Sequence, residues 1–139
     1  MSTMINKAEI AKKASIELAA SGTQLKDNAL KRIAEALNER KEEIVKANSE
    51  DLERSEKEKL APPLLKRLKF DYGKIQDVID GINSLIKLPD PVGRTLAATE
   101  LDEDLVLYKV SCPIGVIGII FESRPDALVQ ISTLCLKSG

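Results

Sequence analysis

The chain has 139 residues, 43% of them hydrophobic and 31% charged, with a formal net charge of −1. That is the balance of a globular domain with a real core rather than of a disordered tail. Basic residues alternate with acids instead of forming a stripe, and only 3% of residues are aromatic, which argues against a nucleic-acid partner. With no histidine and two cysteines, no Ser/His/Asp or Cys/His pair and no His-ligated zinc site can form within the chain, and no metal is expected.

No apolar run reaches the ~18 to 20 residues needed to span a bilayer, and the N-terminus lacks the apolar centre of a signal peptide. A cytoplasmic protein without a membrane partner is the expectation. Met4 to Ala20 reads as a helix with Ile5, Ala8, Ala11, Ser15 and Leu18 on one face and Gly22 as its stop. Thr23 is a candidate N-cap for a second helix, in which Leu25, Ala29, Ile33 and Leu37 recur at helical spacing. The pattern continues, with a break near Asn38, through Ile44 and Ala47. Asn48 or Ser49 then suits the cap of a short acidic helix carrying Glu50 and Asp51, and Glu53 to Lys59 reads as a solvated charged turn. Pro62 and Pro63 mark another helix start. Asp71 caps the most amphipathic segment, where Ile75, Val78, Ile79, Ile82, Leu85 and Ile86 form one stripe. Gly81 within it costs up to ~1 kcal/mol relative to alanine and is expected to allow close packing. The run Leu88 to Gly93, with Pro89 and Pro91, ends that helix.

From Arg94 the pattern turns to strand. Thr95 to Thr99 and Leu105 to Val110 flank an acidic turn, Glu100 to Asp104, as in a hairpin or ribbon. Ile114 to Phe121 is an apolar run with two glycines, the pattern of a strand buried on both faces. A polar elbow, Glu122 to Asp126, leads into a helical pattern ending at Gly139. Strand, turn and helix open a βαβ unit, whose second strand is expected just past Gly139. The organisation expected is residues 1–93 as a helical part, 94–110 as the ribbon, and 111–139 as the first strand and helix of a nucleotide-binding sheet.

Open α/β sheets bind ligands at the carboxyl ends of their strands, which places the candidate site at Phe121 to Asp126. Gly115 and Gly118 lie inside the strand pattern and do not form the Gly-x-Gly-x-x-Gly turn of a phosphate site, so close backbone packing is their expected role. Arg124 has two readings: a guanidinium that grips a phosphate or carboxylate, or one partner of a structural salt bridge to Glu122 or Asp126. Cys112 lies some 25 Å before the elbow at ~3.3 Å per strand residue. Cys135 lies roughly 15 Å along the following helix at 1.5 Å per residue. Neither is placed to act at the elbow.

The run Pro113 to Asp126, with Leu134 to Gly139, Ala47 to Asp51, Leu65 to Leu68 and Leu88 to Gly93, closely resembles the γ-glutamyl phosphate reductases. These are also called glutamate-5-semialdehyde dehydrogenases, and they form a branch of the aldehyde dehydrogenase superfamily. The Glu122-Ser123-Arg124-Pro125 elbow is particular to that branch. The resemblance implies an α/β fold: N-terminal helices, a β-ribbon, and the first βα of a Rossmann-like aldehyde dehydrogenase cofactor domain, incomplete here. It implies NADPH-dependent reduction of L-glutamyl 5-phosphate to L-glutamate 5-semialdehyde in proline biosynthesis, through a thioester on a cysteine, with phosphate leaving as the thioester forms.

By the same resemblance Ile120, Phe121, Glu122 and Ser123 line the nicotinamide side of the cofactor. Arg124 falls where general aldehyde dehydrogenases carry an oxyanion-stabilising asparagine, and contacts substrate phosphate or the developing oxyanion. The family's catalytic cysteine lies downstream of these residues, so no catalytic residue is assigned here and the chain alone is expected to be inactive, an N-terminal portion of a monofunctional enzyme. The ribbon is assigned to homo-oligomerisation, against the alternative of a hairpin packed on its own domain. Left alone, the chain exposes apolar surface and is expected to be poorly soluble or molten. The competing readings are another NAD(P)-linked aldehyde or acyl-phosphate dehydrogenase, and a non-catalytic helical interaction module.

Overall fold

The computed structural model describes residues 2–139. Five helices come first: α1 (Ser2–Ala19), α2 (Thr23–Glu39), α3 (Lys41–Lys57), α4 (Pro62–Leu68) and α5 (Tyr72–Lys87). An antiparallel ribbon of β1 (Thr95–Asp102) and β2 (Leu105–Val110) follows, and α6 (Pro125–Ser138) closes the order.

The core sits where α2, α5 and α6 meet. Leu30 and Ala34 of α2 and Ile75, Val78, Ile79 and Ile82 of α5 are buried together with Phe70. Val129 and Leu136 of α6 pack against them. The α5 stripe forms as its spacing predicts, because positions three and four apart return to one helix face. Leu85 and Ile86 complete it at partial burial. Asp71 caps the helix: its carboxylate accepts from the Lys74 N–H at 3.0 Å, which satisfies one of the free donors of the first turn. Pro62 and Pro63 open α4 as expected.

The helix α1 ends at Ala19 and buries less than its pattern implies. Ile5 is 59% exposed and Ala8 is exposed, leaving Ala11, Ser15 and Leu18 half-buried. The predicted stripe of α2 is partly kept, with Ala29, Ile33 and Leu37 half-buried, but the most buried line lies one position round from it. Leu25 is exposed, whereas Lys26, Leu30 and Ala34 are buried. The rotation follows from charge pairing: Lys26, 1% exposed, meets Asp90 at 2.6 Å, and a buried ammonium needs such a partner. Thr23 does not cap α2. Gly22 holds the N-cap position, and the Thr23 hydroxyl instead donates to Asp90 Oδ2 at 2.9 Å.

The break between α2 and α3 falls at Arg40 rather than Asn38, and α3 runs unbroken from Lys41 through the Asn48–Ser49 position expected to start a helix. Asn48 is buried on the inner face of α3. Its Nδ2 donates to the Leu68 carbonyl at 2.9 Å and its Oδ1 accepts from the Phe70 N–H at 2.7 Å. The side chain is thus a clip that ties α3 to the α4–α5 connection, and a capping residue type serves a tertiary bond instead. The charged stretch Glu53 to Lys59 is mostly the last turns of α3, which ends only at Lys57.

The ribbon forms where the alternating pattern begins, with β1 longer than predicted and the turn confined to Glu103 and Asp104, the latter at φ 63. Every residue of both strands is exposed, so the hairpin is not packed onto the helices. Residues Ile114 to Phe121, by contrast, carry no β-ladder, and the sheet order contains β1 and β2 alone among the described residues. A strand exists by pairing, and no neighbouring strand lies beside this segment; Ile114 is 92% and Ile120 102% exposed. The expected close packing at three glycines is also not found. A side-chain carbon at Gly81, Gly115 or Gly118 would meet no atom within 4 Å, although Gly115, at φ +107, adopts a backbone that favours glycine.

Candidate functional site

The elbow lies at the N-terminus of α6. Pro125 fills its first turn, where a missing N–H costs nothing, and Arg124 holds the N-cap position, its carbonyl accepting from the Ala127 N–H at 3.1 Å. Ser123 has φ 51, a left-handed conformation that costs a serine of order 1 kcal/mol. This turn reverses the chain from the apolar segment into α6 and leaves Ile120, Phe121, Glu122 and Arg124 facing outward.

Both readings of Arg124 can be set against its geometry. The guanidinium pairs with Asp126, not Glu122: its Nη2 lies 3.2 Å from Asp126 Oδ2, with the arginine side chain 53% and the aspartate 16% exposed. A single contact through one nitrogen leaves the other donors of the guanidinium fork open to an anion. Asp126 stands in the first turn of α6, where the helix dipole favours a carboxylate. Its other oxygen, Oδ1, is buried without a hydrogen-bond partner among the described residues.

The five sequence-derived site residues are adjacent in space because they are consecutive in the chain. A cavity of about 800 Å³ opens elsewhere, between α1, the end of α6 and residues 111–117. Both cysteines line it, and none of Ile120 to Arg124 does. Cys112 and Cys135 thus share a cavity that the elbow residues do not line. Another cavity, of about 400 Å³, lies between α5 and α6 around Gly81, Val78, Ile82 and Thr133, again without the elbow.

Buried ion pairs escaped the sequence reading. Lys26 and Asp27, adjacent on α2, pair outward in two directions: Lys26 with Asp90 at 2.6 Å, and Asp27 with Lys137 of α6 at 2.6 Å. Lys137 is 3% exposed and also donates to the Ile86 carbonyl at 3.3 Å. Burial alone would raise the Asp90 carboxyl, but hydrogen bonds from Lys26, the Val92 N–H and Thr23, with the Lys26 charge, hold it below the ordinary 3.8. The available signal was a lysine at position 26, four residues before Leu30 and eight before Ala34, inside the apolar stripe. Among the described residues no cluster of three or more metal-ligating side chains converges, and no helix is long and apolar enough to cross a membrane.

No protein-family profile matches the sequence. The chain is 77% identical to the γ-glutamyl phosphate reductase of Acetivibrio thermocellus over 128 residues, which cover 92% of this chain and 30% of that protein. It is 72% identical to the γ-glutamyl phosphate reductase of Pelotomaculum thermopropionicum over the same shares. Its fold superposes on the crystal structure of the Thermotoga maritima γ-glutamyl phosphate reductase with a TM-score of 0.92 at 36% identity, over 96% of this chain and 32% of that one. The chain belongs to the γ-glutamyl phosphate reductase family. It spans about 30% of the length of the curated relatives it matches. The Saccharomyces cerevisiae γ-glutamyl phosphate reductase gives the same picture, with a TM-score of 0.91 at 39% identity over 94% of this chain and 33% of that one. Agreement across such distant relatives shows that the helices, ribbon and elbow described above are a reductase-family arrangement.

Proposed function

We propose that these residues form part of an NADPH-dependent reductase that converts L-glutamyl 5-phosphate to L-glutamate 5-semialdehyde, a step of proline biosynthesis in the cytoplasm. The observation that carries the reading is the 77% identity to a γ-glutamyl phosphate reductase across 92% of the chain. The elbow fits the assignment. Ile120 and Phe121 offer an exposed apolar surface suited to one face of a nicotinamide ring, beside Glu122 and Ser123. The cofactor, when bound, supplies the hydride.

In this reading the protein residues bind and orient. Ile120 and Phe121 exclude water from the ring face, Glu122 and Ser123 bound the pocket edge, and the free donors of Arg124 hold the phosphate or the developing oxyanion of the substrate. Asp126 keeps the guanidinium from swinging away. The ribbon, exposed on both faces, is suited to pairing with a second subunit, which makes the complete enzyme a homo-oligomer.

The test is NADPH oxidation by the complete protein that contains this chain, supplied with L-glutamyl 5-phosphate. Turnover that depends on the acyl phosphate and releases inorganic phosphate is expected. Reduction of NADP+ with simple aldehydes, and no NADPH oxidation with the acyl phosphate, would move the chain to another aldehyde dehydrogenase activity.

A further inference from the structure

The ribbon is an arm, and its root is held by one connected set of polar contacts. Where it leaves α5, the chain runs Leu88-Pro89-Asp90-Pro91-Val92-Gly93. Each proline fixes its own backbone and restricts the residue before it, so Asp90, between two prolines, presents its carboxylate in a preset direction. That carboxylate meets Lys26 of α2 at 2.6 Å, accepts from the Thr23 hydroxyl at 2.9 Å, and through its other oxygen accepts from the Val92 N–H at 2.9 Å. The returning strand joins the same network. Ser111 Oγ donates to the Pro91 carbonyl at 2.5 Å and accepts from the Arg94 N–H at 3.0 Å. Gly93 and Ser111, and Ser111 and Arg94, add backbone bonds at 2.9 and 3.0 Å.

Beyond this root, residues 95–102 and 105–110 are exposed throughout, so nothing along their length fixes the direction of the arm. That direction matters, because the arm carries exposed Leu96, Leu101, Leu105, Leu107, Tyr108 and Val110. We propose that the Lys26–Asp90 pair, extended through Pro91 to Ser111, is a latch that sets the orientation of the ribbon relative to the helical body. The adjacent Asp27–Lys137 pair, at 2.6 Å, braces the same turn of α2 against α6. Alternate charges at consecutive positions 26 and 27 thus hold the ribbon root with one residue and the last helix with the next.

Single-molecule energy transfer tests the latch at concentrations where self-association does not interfere. Dyes are placed at Glu103→Cys on the ribbon tip and Lys31→Cys on exposed α2, in a Cys112→Ser, Cys135→Ser chain. One narrow transfer peak is expected. Lys26→Met combined with Asp90→Asn removes the pair without stranding a buried charge, and the peak is then expected to broaden and shift while a dye pair within the helical body stays fixed. An unchanged peak in that folded variant would overturn the latch. Should the double variant unfold, Ser111→Ala, which leaves the ion pair and the Ser111 backbone bonds in place and removes the hydroxyl's tie to the Pro91 carbonyl and the Arg94 N–H, is read by the same criterion: broadening supports the extension of the latch to Ser111 and an unaltered peak refutes it.

Discussion

Asn48 shows how one side chain can be misread locally and still be decisive. Asparagine is a capping residue type, and nothing within a few positions of it reveals that its partners are Leu68 and Phe70, twenty and twenty-two residues on. Replacing it by alanine strands the buried Phe70 N–H. A loss of about 1 to 3 kcal/mol in unfolding free energy is expected for such a donor, measured by urea denaturation against the unaltered chain. Lys26 was hidden for the same reason, since a lysine in an apolar stripe signals a buried charge only once Asp90 is known to lie opposite. Asp90→Ala leaves that ammonium buried and unpaired, and a loss of about 3 to 5 kcal/mol is expected. The sign of the pH dependence follows from the lowered Asp90 carboxyl. Its folded value lies under the unfolded 3.8, so its stabilisation is complete above that value and is lost as pH falls through the folded one. The difference in unfolding free energy between the unaltered chain and Asp90→Asn should accordingly be constant near neutral pH and shrink under strong acid.

Elements with a self-contained signal were legible. The α5 stripe, its Asp71 cap, the proline start of α4 and the pairing of the ribbon all follow from spacing and from residues that act on their own backbone. The helix α6 and its elbow were likewise readable from Pro125 and the apolar spacing behind it. What failed were features that need a partner. Ile114 to Phe121 has the composition of a central strand but no strand beside it among the described residues, and α1 has an apolar face with little to cover. Gly81 belongs to this scale too. It sits exposed within α5 with open space around it, so Gly81→Ala gains helix propensity without a clash. A rise of up to about 1 kcal/mol in stability is expected, and a fall would mean that the groove beside α5 is filled.

At the scale of the molecule, apolar surface is distributed in a way that calls for company. Ile5, Ile10 and Ile16 of α1, both faces of the ribbon, and Ile114, Ile117 and Ile120 of the segment before the elbow are all exposed. Such patches drive association when nothing covers them. Sedimentation velocity of the isolated chain should show mass rising with concentration; a monomer at all concentrations would contradict this. Reductase-family membership, with the chain spanning about 30% of its curated relatives, supplies the context in which these surfaces are to be understood.

We propose that substrate meets cofactor at the elbow before α6, with Arg124 as the anion contact rather than only the partner of Asp126. This is tested most directly by measuring kcat/KM for L-glutamyl 5-phosphate and the unfolding midpoint together for Arg124→Ala in the complete protein. A loss on the order of 10²-fold in kcat/KM, the size seen when one oxyanion donor is removed, with an unchanged midpoint, is the predicted result. An unchanged kcat/KM, or a loss matched by a lowered midpoint, would leave Arg124 as a structural salt bridge and contradict the assignment of the site.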